Sequence, residues 1–435
     1  MRCLPIALLL PSLVLPSLVL PAAPAAAQSA EVEAVTYEGT IGRLPILLEL
    51  AVPDPGGSGP FGRYAYRSRG ADIPLNGRAA EAGVLVLEEE APCTKATCTV
   101  TEEGLASPPI AADWRLQRRG TGLSGTWTGR SGGKVLPIRL QRSAVRTVAV
   151  DAGSTPQQAL LPQNSPADPA MPAVLDPAAL PYDFLKLDAP REPGEETERD
   201  GVTVRMETDP RSGVAFPTVV ALGDADPGPI NAYLLQQRLQ AELPYLACKA
   251  ENYAGFGWTE MHPGTPADPD AAAAEAEEEE AGGPSISLDL VSPRLIGLSQ
   301  RDSFYCGGAH PNNYTVHYLA DAATGTAIVP ETLLAGWRAD AGDGTAGPSP
   351  ELVGYVTARR EQFDAEQEES CGFDELIANR FYFGVYFTEA AVVFTLRELP
   401  HAIYACTNDL LTVPLSQART LLTEQGARYF AELDE

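Results

Sequence analysis

Four histidines and a scatter of Ser, Asp and Glu are the residues through which this chain could do acid, base or nucleophile chemistry. Their spacing is unpromising for a metal: His262, His310, His317 and His401 include no His-x-x-x-His pair and no adjacent carboxylate motif. His310 and His317 are seven positions apart, which on one strand places them on opposite faces. The nearest string to a serine-hydrolase elbow, Gly122-Leu123-Ser124-Gly125-Thr126, lacks the final glycine and reads as a β-turn. Gly132-Gly133-Lys134 is followed by Val135, not by Ser or Thr, so it is not a phosphate cradle. The sequence therefore assigns no catalytic residue, no metal ligand and no cofactor. A carboxylate pair assembled in space among 58 Asp and Glu stays open.

The most distinctive string is Tyr305-Cys306-Gly307-Gly308-Ala309-His310-Pro311-Asn312-Asn313-Tyr314. Two glycines permit positive φ between strands and a small Ala allows close approach, while His310 and Asn312 offer polar contacts. Tyr305, Gly307, Gly308, His310, Asn312 and Tyr314 are accordingly the candidate binding residues, against the alternative of a histidine that only satisfies its own turn. A second feature is basic: Arg115, Arg118, Arg119, Arg130, Lys134, Arg139, Arg142 and Arg146 form an island in an acidic chain. It reads as the exposed faces of hairpins, partly paired with acids, and alternatively as an attractor for an anionic cell-wall polymer.

Elements must position these residues. From Val35 to about Val150, short alternating apolar runs separated by Gly, Pro and Asp predict an antiparallel β unit, residues 31–150, as a meander or small open barrel. Its first hairpin reads Val35 to Leu50. A similar phrase from Leu123 to Leu140 closes it, so the last strands are expected to pair with the first. Trp127 is expected in the core. Seven prolines between Pro156 and Pro181 mark residues 151–180 as a linker. The unit at 181–433 is expected to be α+β, a mostly antiparallel sheet with packed helices. Its expected helices are one whose stripe Ile230, Leu234, Leu235 and Leu239 ends at Pro244, one from Pro350 to about Glu368, and one from Leu415 to Phe430. An acidic insert at 263–283 reads as a solvated interruption.

Composition and the chain's start bound the setting. With 31 Lys and Arg against 58 Asp and Glu the formal charge is -27, which speaks against a nucleic-acid partner. Residues 1–27, with Arg2, an apolar stretch broken by Pro5, Pro11 and Pro16, and Ala25 to Ala27, read as a secretory signal peptide. No later stretch reaches the roughly 20 apolar residues that span a bilayer, so no membrane anchor is expected after cleavage. A periplasmic or secreted location follows, and with it an oxidising compartment. Cleavage removes Cys3 and leaves the even set Cys93, Cys98, Cys248, Cys306, Cys371 and Cys406, which favours disulfides. The preferred pairs are Cys93 with Cys98, Cys248 with Cys306 and Cys371 with Cys406.

The stretch from Ile286 to Leu334 resembles a secreted bacterial domain-of-unknown-function family, shared with the ectodomain of the lysozyme-sensing anti-sigma factor (RsiV-type) and with a peptidoglycan deacetylase. The resemblance is carried by Tyr305, Gly307, Gly308, Ala309 and His310, then the turn residues Asp321, Thr324 and Gly325, then Leu333 and Leu334. The region from Phe381 to Leu422 is similar to the family's closing strands and Val-Pro-led last helix, and the whole covers about 180–432. Thr326 stands where the family has Lys, and Leu334 where it has Phe. The resemblance implies an envelope binding module for a cell-wall fragment or a wall-directed hydrolase such as lysozyme. The competing expectation is an envelope hydrolase acting on cell-wall or peptide substrates, with His310 as a base.

Overall fold

The computed structural model describes residues 30–53, 59–81, 83–91, 99–100, 106–107, 109–150, 159–161, 175–254, 284–304, 312–338 and 347–431. The leader at 1–27, the acidic insert, and Cys93, Cys98 and Cys306 lie outside them, as does the side chain of Cys248.

The first ten strands are β1 (Ala30–Ile41), β2 (Leu44–Ala51), β3 (Phe61–Tyr66), β4 (Asp72–Glu81), β5 (Val84–Glu90), β6 (Thr99–Val100), β7 (Ala106–Ser107), β8 (Ile110–Arg119), β9 (Gly122–Gly129) and β10 (Val135–Val150). Eight of them close a barrel in the order β1-β10-β9-β8-β5-β4-β3-β2, while β6 and β7 pair with each other. The echo between first and last hairpins is realised as a long antiparallel ladder from Ala30↔Val150 to Ile41↔Ile138. That ladder corrects the expectation of an open barrel: β1 pairs on both sides, so no edge is left. Strand alternation fills the interior with Tyr37, Ile46, Leu48, Leu50, Tyr64, Leu75, Leu87, Trp114, Leu116, Leu123, Ile138 and Leu140. Gly39 is required where the strands pass closest, because a Cβ there would lie 1.9 Å from the Arg139 carbonyl oxygen.

The linker is not wholly detached. Leu160 is fully buried and packs on the outer wall with Ala34, Ala51, Phe61 and Val148. Helix α1 (Pro181–Leu187) then lies on the wall beside β2.

Beyond it come the sheet β11 (Glu192–Arg199), β12 (Val202–Thr208) and β13 (Ala215–Leu222), and helix α2 (Gly228–Ala254). Asp226 accepts from the Gly228 N–H at 2.9 Å, as a residue capping that helix should. The helix runs through Pro244 instead of ending there, for its apolar face continues: Leu239, Leu243 and Leu246 are buried together with Leu187. A four-stranded sheet follows, β14 (Ser285–Val291), β15 (Leu295–Phe304), β16 (Asn312–Asp321) and β17 (Ala327–Ile328). After the small pair β18 (Trp337–Arg338) and β19 (Gly347–Pro348), the sheet β20 (Phe383–Phe387), β21 (Ala391–Leu396) and β22 (Asp409–Pro414) ends the strand inventory of the described residues.

Two expected long helices are broken into pieces. The first is α3 (Pro350–Thr357), a single 3-10 turn (Arg360–Gln362) and α4 (Ala365–Cys371), where the Asp364 side chain starts a new helix by capping Gln367. Helix α5 (Phe373–Ile377) continues from it across Gly372 in the left-handed region. The second is α6 (Leu415–Ala418), a 3-10 turn and α7 (Glu424–Tyr429), restarted by Thr423 as cap. Cys371 and Cys406 are joined by a disulfide, the expected pair, with Cα atoms 5.7 Å apart. Among the described residues no helix is long and apolar enough to cross a membrane.

Candidate functional site

Hairpin β15–β16 carries the distinctive string between its arms. Ladder pairs run from Leu295↔Asp321 to Phe304↔Asn312, so residues 305–311 join the two strand ends. Tyr305, Gly307, Gly308 and His310 lie outside the described residues, Asn312 opens β16, and Tyr314 stands opposite Asp302. A turn made by Ser292, whose Oγ accepts from the Arg294 and Leu295 backbone N–H groups, sets the β14–β15 register. At the other end of β16, Asp321 accepts from the Thr324 N–H and hydroxyl, and Gly325 takes φ +66°. A Cβ at Gly325 would meet the Pro229 carbonyl oxygen at 2.2 Å, so this turn is pinned against the start of α2.

Alternation sends two sets of polar side chains to opposite faces of this hairpin. On one face Gln300 Nε2 donates to Asp302 Oδ2 at 2.8 Å and to the Tyr314 hydroxyl at 2.9 Å. Burial pushes the Asp302 carboxyl up to about 6, although hydrogen bonds from Tyr314 and Gln300 work the other way. The arms of the loop are therefore tied together at their last described turns by a buried polar bridge.

On the other face Ser299 sits directly across from His317. A bulge between Leu288 and Leu290 re-aims Asp289 toward the pair. Ser299 Oγ donates to Asp289 Oδ2 and lies 2.6 Å from His317 Nδ1. Tyr386 of β20 stacks on the imidazole at 4.3 Å between centroids, and its hydroxyl donates to Asp409 at 2.9 Å. Burial lowers His317 to about 3, helped by Arg397 and Arg301, so the ring is neutral in the ordinary pH range. Its Nε2 has no hydrogen-bond partner among the described residues.

Ser, His and Asp thus meet, but in an order that defeats nucleophilic catalysis. In a working triad the serine gives its proton to histidine and the carboxylate orients the ring's other nitrogen. Here the Ser299 hydroxyl donates to Asp289, whose pKa burial raises, and Nδ1 faces the buried Ser299 instead of the carboxyl group. Sequence spacing missed Asp289, Ser299, Gln300 and Asp302. For Asp289 the only signal was the alternation Ile286-Ser287-Leu288-Asp289-Leu290, which reads as a solvent face, and nothing in the sequence marks that β20 packs on the adjoining β16.

The two titrating groups give opposite pH signatures. His317 is depressed from 6.5, so its environment costs stability progressively as pH falls from about 6.5 toward 3, where only the unfolded chain takes the proton. Asp302 is raised from 3.8, so its contribution is full below 3.8 and is lost as pH rises toward 6. Asp302→Asn removes the falling contribution and leaves that of His317 unopposed, so stability is expected to rise more steeply between pH 4 and 6 in the variant than in the wild type, measured by urea unfolding at each pH; an unchanged profile would count against a buried carboxyl there.

The basic island is divided by the structure. Arg130 bonds Asp113 at 2.8 Å and Glu88 at 2.5 Å, and Arg146 bonds Glu49 at 2.7 Å, which matches the paired-hairpin reading for those two. Arg118, Arg119, Arg139 and Arg142 are exposed. Among the described residues no cluster of three His, Cys, Asp or Glu could hold a metal ion. Compared with known families and with curated proteins, the chain finds no match.

Proposed function

We propose that the protein is an exported envelope binding protein that recognises a cell-wall fragment, or a wall-directed hydrolase such as lysozyme, through the loop from Tyr305 to Tyr314. The observation that supports this reading is the bridged base of that loop: Gln300 donates to Asp302 on its own arm through a buried hydrogen bond and to Tyr314 on the other arm through a half-buried one. A loop on fixed arms has less conformational freedom to lose when it binds, which is what a recognition element needs. The neighbouring Ser299 and His317 are locked into structure instead of being poised for turnover. A formal charge of -27 also suits a basic protein partner.

A His310→Ala, Asn312→Ala double variant tests the reading in a pull-down from envelope extract and on purified peptidoglycan. The wild type is expected to retain a partner that the folded variant loses. Equal retention by both would reduce the loop to scaffold, and peptide or glycan turnover abolished by His310→Ala in a folded protein would replace binding by hydrolysis.

A further inference from the structure

A second surface, on the barrel and remote in sequence from the loop, has the chemistry of a binding site. The outer face of β8, β9, β10 and β1 carries an open groove of about 440 Å³ lined by Arg119, Arg139, Gln141, Thr40 and Glu38. Register explains why these residues meet. Arg139 pairs with Ser124 on one side and Thr40 on the other, and Arg119 pairs with Gly122 at the end of the adjoining ladder. The two arginines are two strands apart and offset by one outward position, on the order of 12 Å between Cα atoms from strand spacing and rise.

The groove's acid is already engaged. Glu38 forms an ion pair with Arg67, which cancels its charge toward the groove. Arg119 makes only a long 3.4 Å contact, to the neutral Gln117, and no acid among the described residues pairs with Arg139. Gln117, Ser124, Thr126 and Gln141 supply neutral hydrogen-bonding groups between them. In a chain with almost twice as many acids as bases, an exposed groove whose two arginines have no acid partner among the described residues, and whose one acid is paired, is a local reversal of field.

We infer that this face binds an acidic polysaccharide, a glycan bearing carboxylates along an extended chain. Guanidinium forks match carboxylates in two-point hydrogen bonds. The groove is shallow and open along the strands, which suits a polymer more than a small enclosed ligand, and the amide and hydroxyl side chains suit sugar hydroxyls. Nucleic acid fits less well, since no aromatic side chain lines the groove for bases to stack on. This inference does not rest on the Tyr305 to Tyr314 loop.

The test uses the purified protein and polygalacturonate as probe, with neutral dextran, inorganic phosphate and single-stranded DNA as comparators, followed by calorimetry at low and physiological salt. Binding to polygalacturonate is expected, weakening with salt, and the Arg119→Gln, Arg139→Gln variant should bind at least about five-fold more weakly. A charge-matched variant elsewhere, Arg199→Gln, Arg360→Gln, should bind as the wild type does. Equal weakening in both variants, no binding to polygalacturonate, equal binding to dextran, or stronger binding to DNA would each overturn the inference, as would phosphate alone saturating the same site with equal affinity. Because the loop variant His310→Ala, Asn312→Ala leaves the barrel untouched, it should keep polygalacturonate binding, which separates failure here from failure of the loop.

Discussion

Arg63→Met is expected to destabilise the protein by about 3–5 kcal/mol, the usual cost of removing one partner from a buried ionic cluster. Arg63 points outward from β3 yet is fully buried, because α1 lies over it. It bonds Glu49 at 2.8 Å, Asp72 at 3.1 Å and both oxygens of Asp183 at 2.8 and 3.1 Å. Lys186 reaches Asp72 at 2.9 Å, Arg146 reaches Glu49 at 2.7 Å, and the Tyr182 hydroxyl donates to Asp72 at 2.7 Å. Three cations thus balance three anions, and removing the central one leaves a net negative charge with little water. Burial works against the Arg63 charge, but Asp183, Glu49 and Asp72 hold the guanidinium above its ordinary pKa. Burial likewise opposes the Asp183 charge, and Arg63 and Lys186 reverse this and hold its carboxyl below the ordinary value. That depressed group contributes stability that is present above the unfolded-state pKa and lost as pH falls through the folded one, so Asp183→Asn should flatten the acid limb of the stability curve. Urea unfolding checks both variants. A loss under about 1 kcal/mol for Arg63→Met would mean that α1 does not clamp the barrel wall.

The second large effect is inside the barrel. Glu89 projects into the apolar core, where one carboxylate oxygen accepts from the Trp114 indole N–H at 2.8 Å and the Trp127 indole N–H at 2.7 Å. Glu89→Ala strands two indole donors, at about 1–3 kcal/mol each, so a loss of about 3–4 kcal/mol is expected. Glu89→Gln keeps an acceptor in place and should lose no more than about 1 kcal/mol. Burial raises the Glu89 pKa, and the two indole bonds offset part of the rise. A raised carboxyl contributes stability that is full below its unfolded value and lost as pH rises through the folded one, and the Gln variant should lack that step. Thermal unfolding followed by tryptophan fluorescence reads all of this. Equal losses for Ala and Gln would show that cavity volume, not the indole bonds, sets the cost.

The packing of Trp127 against the core, where it is half-buried, the antiparallel β unit, the pairing of its last strands with its first, and the Cys371–Cys406 bridge were all legible in the residues. Period-2 alternation and glycine placement are local signals, and they survive folding. What was not legible depends on cover. Glu49, Arg63 and Asp72 occupy outward positions that alternation assigns to solvent, and only α1 removes them from it. Ser299 and His317 look solvated for the same reason, yet both are buried, with Tyr386 laid on the imidazole. Breaks in the expected helices were marked by Asp364 and Thr423, but a helical apolar stripe can continue in register across a cap, and periodicity alone passes over it. In the same way Pro244 signalled an end that the packing of Leu243 and Leu246 overrides.

Barrel closure also fixes an order of events. The pair Ala30↔Val150 joins the first and last residues of the barrel, so its completion carries a high contact order and a large loop-closure entropy. At about 5–20 residues per second of synthesis, strand β1 waits roughly 6 to 24 s for its second neighbour to exist. Throughout that interval one side of β1 is an unpaired template open to any other strand. Even after closure the charged wall around Arg63 stays wet until Pro181–Leu187 has emerged and settled. A fragment cut at residue 150 would therefore expose an ionic cluster designed for a dry interface, and the unit that looks autonomous in the sequence completes itself only with the segment that follows it.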